Sequence, residues 1–218
     1  MFLSRWMAGC SAVFALALLG GTPGEVQAAT RPVDWAALDP AYEGATFVKD
    51  TEVCQTCHED DLHGFDETAH ARAFRAGKMP EQGACESCHG PASKHVEDPE
   101  DAGLRPVWGR LSPVQQSAVC MQCHEGGARM AWKGGPHLAS DVSCSSCHHV
   151  MEARSEQALL VRPRAQETCT TCHAEKRAQM SKTSHHPVRE GRMDCGSCHN
   201  PHGSTPGLLR TATAEETS

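Results

Sequence analysis

One short pattern recurs six times and constrains the fold of this chain more than any other feature. Each copy has two cysteines separated by two residues and followed at once by histidine, C-x-x-C-H. The six motifs, numbered in chain order, begin at Cys54, Cys85, Cys120, Cys144, Cys169 and Cys195. They use twelve of the thirteen cysteines in 218 residues. The fold must therefore place six equivalent sets of side chains.

The motif is typical of covalent haem attachment. In C-x-x-C-H the two thiols bond to the porphyrin, and the adjoining imidazole becomes the proximal ligand of the iron. A single C-x-x-C pair could equally be half of a zinc site, a redox disulfide or a structural disulfide. Six copies, each with its histidine, instead predict six covalently bound c-type haems.

This prediction assigns eighteen residues. The covalent anchors are Cys54, Cys57, Cys85, Cys88, Cys120, Cys123, Cys144, Cys147, Cys169, Cys172, Cys195 and Cys198. The proximal ligands are His58, His89, His124, His148, His173 and His199.

The first 28 residues read as a secretory signal peptide. A basic start at Arg5 precedes a short apolar stretch, and small residues lead to a predicted cleavage site between Ala28 and Ala29. An uncleaved membrane anchor is the alternative, although the apolar stretch is short for a span. Cys10 would be removed with the signal. Since haem is attached to this motif outside the bacterial cytoplasm, both arguments predict a periplasmic protein.

Composition indicates an interior that the side chains alone do not fill. The whole sequence has five Phe, one Tyr and four Trp, with little strand-like periodicity. We therefore expect stacked haems to supply the apolar interior, and we expect the chain without haem not to fold. The predicted fold is mainly short α-helices and long loops wrapped around these haems, with little or no β-sheet.

The charge of the chain limits its partners. The formal net charge is −7, and haem propionates would add to it. An acidic surface argues against nucleic acid and against anionic lipid as partners. It favours weak, salt-sensitive contacts with redox proteins that present lysine or arginine.

The motif spacing predicts a hexahaem domain of three two-haem modules over residues 29–203. The predicted modules are about 54–110, 111–160 and 161–203. Residues 29–53 are expected to be an irregular lead-in, and 204–218 a flexible tail.

Helices are predicted at three places. Residues 59–76 and 165–182 have helical composition, and Ser112 before Pro113 reads as an N-cap that opens a helix leading to Cys120.

Eight further histidines are candidates for the distal face of six irons. Our predicted distal ligands, chosen mainly for recurring positions between and after motifs, are His70, His95, His137, His149, His186 and His202. Weaker candidates are His63, His185 and Met151. In the middle module Met151 occupies the position that His202 has in the third module, so the expected distal histidine is missing from the middle module. Three alternatives remain open: His149 is a ligand to a different haem, His63 fills the vacant position, or the Met151 sulfur binds the iron. A His/Met haem has a higher potential than a bis-His haem.

Four stretches carry a resemblance to a known family. They are HARAF at 70–74, CESCHGPASKHV at 85–96, GGPHLASDVSCSSCHHV at 134–150 and SHHPVREGRMDCGSCHNPHGS at 184–204. The chain resembles the periplasmic multihaem cytochromes that include the pentahaem donor to nitrite reductase and the decahaem conduits of the MtrA/DmsE type.

The resemblance implies a wire of closely stacked, mostly bis-His haems. Its expected donor is a quinol dehydrogenase or another cytochrome, and its expected acceptor a terminal reductase or an outer-membrane conduit. In the decahaem branch the cytochrome sits inside an outer-membrane β-barrel. Six motifs, not ten, make a soluble shuttle the simpler interpretation.

We therefore predict a periplasmic hexahaem cytochrome that transfers electrons between redox partners and is not an enzyme. One alternative is a subunit of an outer-membrane electron conduit for extracellular electron transfer, with a β-barrel as partner. Another is a multihaem reductase of a small oxyanion, which needs an iron with an open distal position. Spare histidines outnumber the irons, which argues against that reductase.

Overall fold

The computed structural model describes residues 33–77, 85–105, 107–155 and 158–210. Its α-helices are α1 (Trp35–Leu38), α2 (Thr51–His58), α3 (Ala69–Arg75), α4 (Glu86–His89), α5 (Ser93–Glu97), α6 (Pro113–Met121), α7 (Pro136–Ala139), α8 (Ala165–Cys169) and α9 (Ala174–Gln179). Short 3-10 turns and loops join them. In these ranges no helix is both long and apolar enough to cross a membrane. The predicted signal peptide lies outside the described residues.

The predicted class of short helices and loops with little or no β-sheet is confirmed. The described residues form short helices and loops with no β-strand, and their only β-type pairings are isolated bridges between His148 and Leu160 and between His199 and Leu209. Short elements of this kind bury little surface of their own.

Of the three helix predictions, one is confirmed and two are wrong. The Ser112 side chain caps α6, with Pro113 at its first turn. Residues 59–76 are instead two 3-10 turns followed by α3, which begins afresh where Thr68 accepts a hydrogen bond from the N–H of Ala71. Residues 165–182 instead contain two short helices, because α8 ends at Cys169 and the backbone is outside helical geometry at Thr170 and again at His173, before α9 begins.

The lead-in is more ordered than we expected. Trp35 and Tyr42 lie in α1 and the 3-10 turn after it, and pack with Leu111 and Val119 into a small buried core. The Tyr42 hydroxyl donates to the carbonyl of His89 at 2.8 Å, and burial, more than nearby Asp39, raises its pKa to about 12. Side chains thus build one part of the interior that we had assigned to haem.

Glu86, between the cysteines of the second motif, fastens the lead-in to that motif. The residue is 3% exposed, and its carboxylate accepts hydrogen bonds from three backbone N–H groups, those of Val48 and Ala92 at 2.9 Å and of Lys49 at 2.8 Å. Hydrogen bonds to a buried charge are the strong ones, and leaving such donors unpaired is costly.

We expect Glu86→Gln to destabilise the haem-loaded protein by about 2–3 kcal/mol, because the amide turns a donor toward a backbone N–H. Chemical denaturation followed in the Soret band measures this. The matched control is Glu100→Gln, on an exposed side chain. Equal denaturation midpoints for the two variants would show that these three hydrogen bonds contribute nothing to stability.

The fourth and sixth motifs end in the same closing turn. After the fourth, the N–H of Val161 donates to Cys147 O; after the sixth, the N–H of Arg210 donates to Cys198 O, each at 2.9 Å. Residues 204–210 are therefore hydrogen-bonded to the sixth motif, and the part of the predicted flexible tail that the structure describes is held in place. Residues 211–218 lie outside the described residues.

Candidate haem-binding sites

Each motif closes one helical turn, so both thiols stand on one side of the chain. In motifs two to six the N–H of the histidine donates to the carbonyl of the first cysteine at 2.9–3.1 Å, and the first motif lies inside α2. The two-residue spacing thus fixes where the histidine lies relative to both sulfurs.

The twelve motif cysteines are accessible and chemically free. None of them is buried and none forms a disulfide in the described chain. No group of three or more His, Cys, Asp or Glu side chains in the described ranges could hold a metal ion. Accessible cysteine pairs of this kind suit thioether bonds to a large group.

Neighbouring thiols connect the motifs in chain order. Within the predicted modules the interacting pairs are Cys54 with Cys85, Cys120 with Cys144, and Cys169 with Cys195. Between modules they are Cys88 with Cys123, and Cys147 with Cys172. Burial raises the pKa of Cys85 to about 11, and the Cys54 thiol beside it adds to this shift. The six attachment points therefore form one continuous series.

Four motif histidines face a second histidine ring. The ring-centre distances are 6.2 Å for His58 and His95, 5.9 Å for His124 and His70, 6.2 Å for His173 and His137, and 6.1 Å for His148 and His202. Each pair joins a predicted proximal ligand to a predicted distal ligand.

These distances fit a metal between the rings. Imidazole nitrogen binds metals at about 2.0–2.1 Å, so two axial imidazoles on one iron have ring centres about 6 Å apart. The angle between the two planes is free to vary, and it ranges from 16° for His148 and His202 to 86° for His70 and His124. The residues present therefore fit haem iron at these four positions.

Hydrogen bonds to Nδ1 orient several rings and leave Nε2 for a metal. His148 pairs with Ala158 O at 2.6 Å and His199 with Gly207 O at 2.9 Å. His58 differs, because its Nδ1 lies 3.0 Å from the Asp61 carboxylate. Such partners outside the ligand shell fix the tautomer and raise the basicity of the ligand.

Burial keeps several candidate distal rings neutral, which is the metal-binding form. Burial lowers the pKa of His70 and the pKa of His95, and it lowers the pKa of His202 to about 4. Nearby positive groups add to each of these shifts. The Nδ1 atoms of His70, His95 and His149 are buried without a hydrogen-bond partner. Orphaned polar atoms of this kind require an explanation, and a bound haem group is one.

Two of the weaker candidates, His63 and His185, and one of the six predicted distal ligands, His186, are placed differently. The side chain of His63 is 80% exposed, with Nε2 3.8 Å from Asp60. Both ring nitrogens of His185 are engaged, Nδ1 with the Lys182 carbonyl and Nε2 with Glu190 at 3.1 Å; the Glu190 bond is the main reason that its pKa is raised. His186 is exposed and, in the described chain, faces no histidine ring. In the described chain none of these three rings faces a motif histidine.

His149 and Met151 line one cavity of about 340 Å³ with Asp60, Asp61 and Glu152. The cavity lies beside the first module, as expected for a ligand that reaches a different haem.

Sequence reasoning missed Asp61 as the partner of His58, although an acidic side chain three residues after a motif histidine was the available signal.

Comparisons with known proteins agree with this geometry. Three family models match: "Cytochrome c554 and c-prime" over residues 53–84, "Cytochrome c-type protein NrfB-like" over 85–164, and "Doubled CXXCH motif" over 185–217.

A relative described as "Multiheme cytochrome MtrA", from Shewanella baltica (strain OS185), is 37% identical over 190 residues. The alignment covers 84% of this chain and 56% of the relative, so the chain spans little more than half of that protein. Paired motifs, facing imidazoles and these similarities show that the chain belongs to the multihaem c-type cytochromes of the MtrA type.

Proposed function

We propose that this chain is a periplasmic hexahaem cytochrome that passes electrons between redox proteins along a row of mostly bis-His haems. When bound, each haem supplies one iron that exchanges a single electron. The chain holds the porphyrins at fixed spacing, supplies the axial imidazoles and shields them from water. The observation that carries the proposal is the set of four facing histidine pairs, each about 6 Å apart.

The facing pairs support specific ligand assignments. We assign His95 to the iron of His58, His70 to that of His124, His137 to that of His173, and His202 to that of His148. All these distal rings except that of His95 come from a module other than that of their proximal partner. Ligation would therefore tie consecutive modules together.

His149 is our proposed ligand for the iron of His89. The segment that follows the fourth motif packs on the first module so closely that a Cβ on Gly64 would lie 2.8 Å from the Glu152 side chain. His149 shares its cavity with Asp61. His89 is exposed, yet partial desolvation of its ring lowers its pKa and the Asp61 carboxylate opposes that shift, so Asp61 lies near both histidines.

Thiol contacts support electron transfer in chain order. Neighbouring cysteines link motif one to two, two to three, and so on to six. Porphyrins anchored at these points would follow the same order, with the first and sixth haems at the two ends.

The two ends of the chain differ in charge, which adds detail to the acidic surface that we expected. Residues 33–77 carry ten acidic and three basic side chains, whereas residues 158–210 carry four acidic and eight basic ones. Complementary charge guides encounter and orientation more than affinity. We propose a cationic redox partner at the first haem and an anionic one at the sixth.

Haem counting and spectroscopy test this function together. We expect the exported protein to carry six added haems by mass spectrometry and, in a redox titration followed by EPR, mostly low-spin centres. The pairs with planes at 16° and 86° should give distinct low-spin signals. Fewer than six haems, or mostly high-spin iron, would contradict the proposal, and recovery with an outer-membrane protein would favour the conduit alternative.

Asp61→Asn is expected to raise the potential of the first haem by on the order of 50 mV, since a tenfold change in a one-electron equilibrium corresponds to about 59 mV. The carboxylate beside His58 Nδ1 stabilises the ferric state, and the amide does so less. Spectroelectrochemical titration measures the shift. The control is Asp60→Asn, where the carboxylate is fully exposed and faces His63. Equal titration curves for both variants would exclude this role of Asp61.

A further inference from the structure

Residues 200–203 follow the sixth motif and pack closely on residues 128–137; we call them the docking segment. Asn200 is 6% exposed, and its side chain donates a hydrogen bond to Ala128 O at 3.0 Å. At the other end of the segment, Gly203 O lies so close to Gly135 that a Cβ on Gly135 would be 2.9 Å from that oxygen. The docking segment is therefore held at both ends against the stretch that follows the third motif.

The docking segment contributes to two facing histidine pairs. The ring of His202 faces that of His148, with ring centres 6.1 Å apart. One residue earlier, Pro201 O lies 2.8 Å from Nδ1 of His137, and the ring of His137 faces that of His173 at 6.2 Å. When Nε2 of His137 is bound to iron, Nδ1 carries the proton and donates it to this carbonyl. One short segment thus supplies one distal ring and orients another.

Asn200 fixes the conformation of the docking segment. Its Oδ1 accepts a hydrogen bond from the N–H of His202 at 3.1 Å, and its backbone carbonyl accepts one from the N–H of Gly203 at 3.0 Å. Its own N–H donates to Leu208 O at 2.8 Å, within the closing turn of the sixth motif. The two ends of its amide therefore have separate partners, because the nitrogen holds residues 128–137 and the oxygen holds the backbone of His202.

Trp132 supports the ring of His202 from the same stretch. Trp132 is 5% exposed, and its ring centre lies 6.0 Å from that of His202, with the two planes at 61°. Edge-to-face contacts of this kind favour one relative orientation of two rings. A docking segment that moved away from residues 128–137 would lose this contact as well.

We propose that Asn200 is a positioning residue for two haems. Through His202 it sets the orientation of the distal ligand on the iron of His148. Through the Pro201 carbonyl it sets the basicity of His137, the ligand assigned to the iron of His173. The inference rests on the proposed function, because it requires the ligand pairs assigned there. A hydrogen bond to Nδ1 makes an imidazole more basic and stabilises ferric iron, so a displaced docking segment raises the potential of that second haem, and a poorly placed His202 raises that of the first.

Asn200→Ala in the haem-loaded protein tests the proposal by poised EPR and optical titration. We expect the one-electron equilibria of two haems to move toward ferrous iron by about tenfold each, which corresponds to about 59 mV. The low-spin signal of the pair with planes at 16° should also move, because His202 is no longer held at that angle. A shift confined to one haem, or spread evenly over all haems, would overturn the proposal.

Two further variants identify the affected haems. His202→Ala and His137→Ala should each remove one low-spin signal, and these are the two signals that Asn200→Ala is expected to shift. If either histidine variant keeps all low-spin signals, the ligand assignment in the proposed function has failed, and this inference fails with it. If both lose a signal and Asn200→Ala shifts neither, only this inference is wrong.

A pair of glycine variants tests the docking independently of Asn200. Gly135→Ala forces the docking segment to move, because the oxygen that its Cβ would meet belongs to the backbone. Gly134→Ala is the matched control, since a Cβ there meets no described neighbour within 4 Å. We expect Gly135→Ala to raise the same two potentials as Asn200→Ala and Gly134→Ala to raise neither. Identical titration curves for the two glycine variants would show that the docking segment does not control these haems.

Discussion

A chain with serine at all twelve motif cysteines is expected to show no cooperative unfolding transition and little fixed tertiary structure. Only nine hydrophobic residues are buried in the described ranges, and the one packed cluster is formed around Trp35 and Tyr42. Core area of that size does not offset the conformational entropy of ordering so long a chain. The haems supply the remaining stabilisation, because a group that binds only the native state shifts the equilibrium toward it.

Thermal and urea unfolding followed by circular dichroism measure this effect, with the haem-loaded protein as reference. The graded control replaces Cys54 and Cys57 alone, which removes one haem and should leave a cooperative, less stable protein. A sharp transition in the all-serine chain, with the helix content of the loaded protein, would show that side-chain packing suffices.

His202→Ala is expected to convert one low-spin haem to high spin and to raise its potential well above those of the other haems. His202 is the ring opposite His148, and removing one of two strong axial imidazoles leaves the ferric state less stabilised. Optical spectra near the high-spin charge-transfer bands and a poised EPR titration report both changes.

The matched control for this variant is His63→Ala. His63 has an exposed ring and faces no motif histidine in the described chain, so its removal should leave the spin-state count as it is in the parent protein. Imidazole added to His202→Ala should restore the low-spin signal, which a general loss of folding would prevent. If the spectra of the two variants are the same, the assignment of His202 is wrong.

Local features of the fold were predictable from the sequence. The C-x-x-C-H spacing is one helical turn, and the Ser112 cap with Pro113 after it marks the start of α6. Both depend on residues within four positions of each other. The continuous helix expected over 59–76 failed because capping by Thr68 favours a new start, a choice that composition does not reveal.

The ligand pairs depend on distant parts of the chain. Recurring positions marked His70 and His137 as distal ligands, but nothing local states that each faces a motif of the next module. The same limit applies to His149 and Met151, whose cavity is formed together with the segment around Asp60. Sequence periodicity identified the candidate ligands, and tertiary packing decides which motif histidine each of them faces.

The succession of thiol contacts bears on how the protein is made. Because each attachment point lies near the one before it, the earlier predicted modules have most of their neighbours before the last residues are synthesised, and such sequential contacts favour fast assembly. In the proposed ligand assignments His149 and His202 would each be synthesised after the motif histidine with which it is paired, so distal ligation would lag behind haem attachment. Maturation would then proceed from the amino terminus, with the most recently attached haem waiting for its distal histidine.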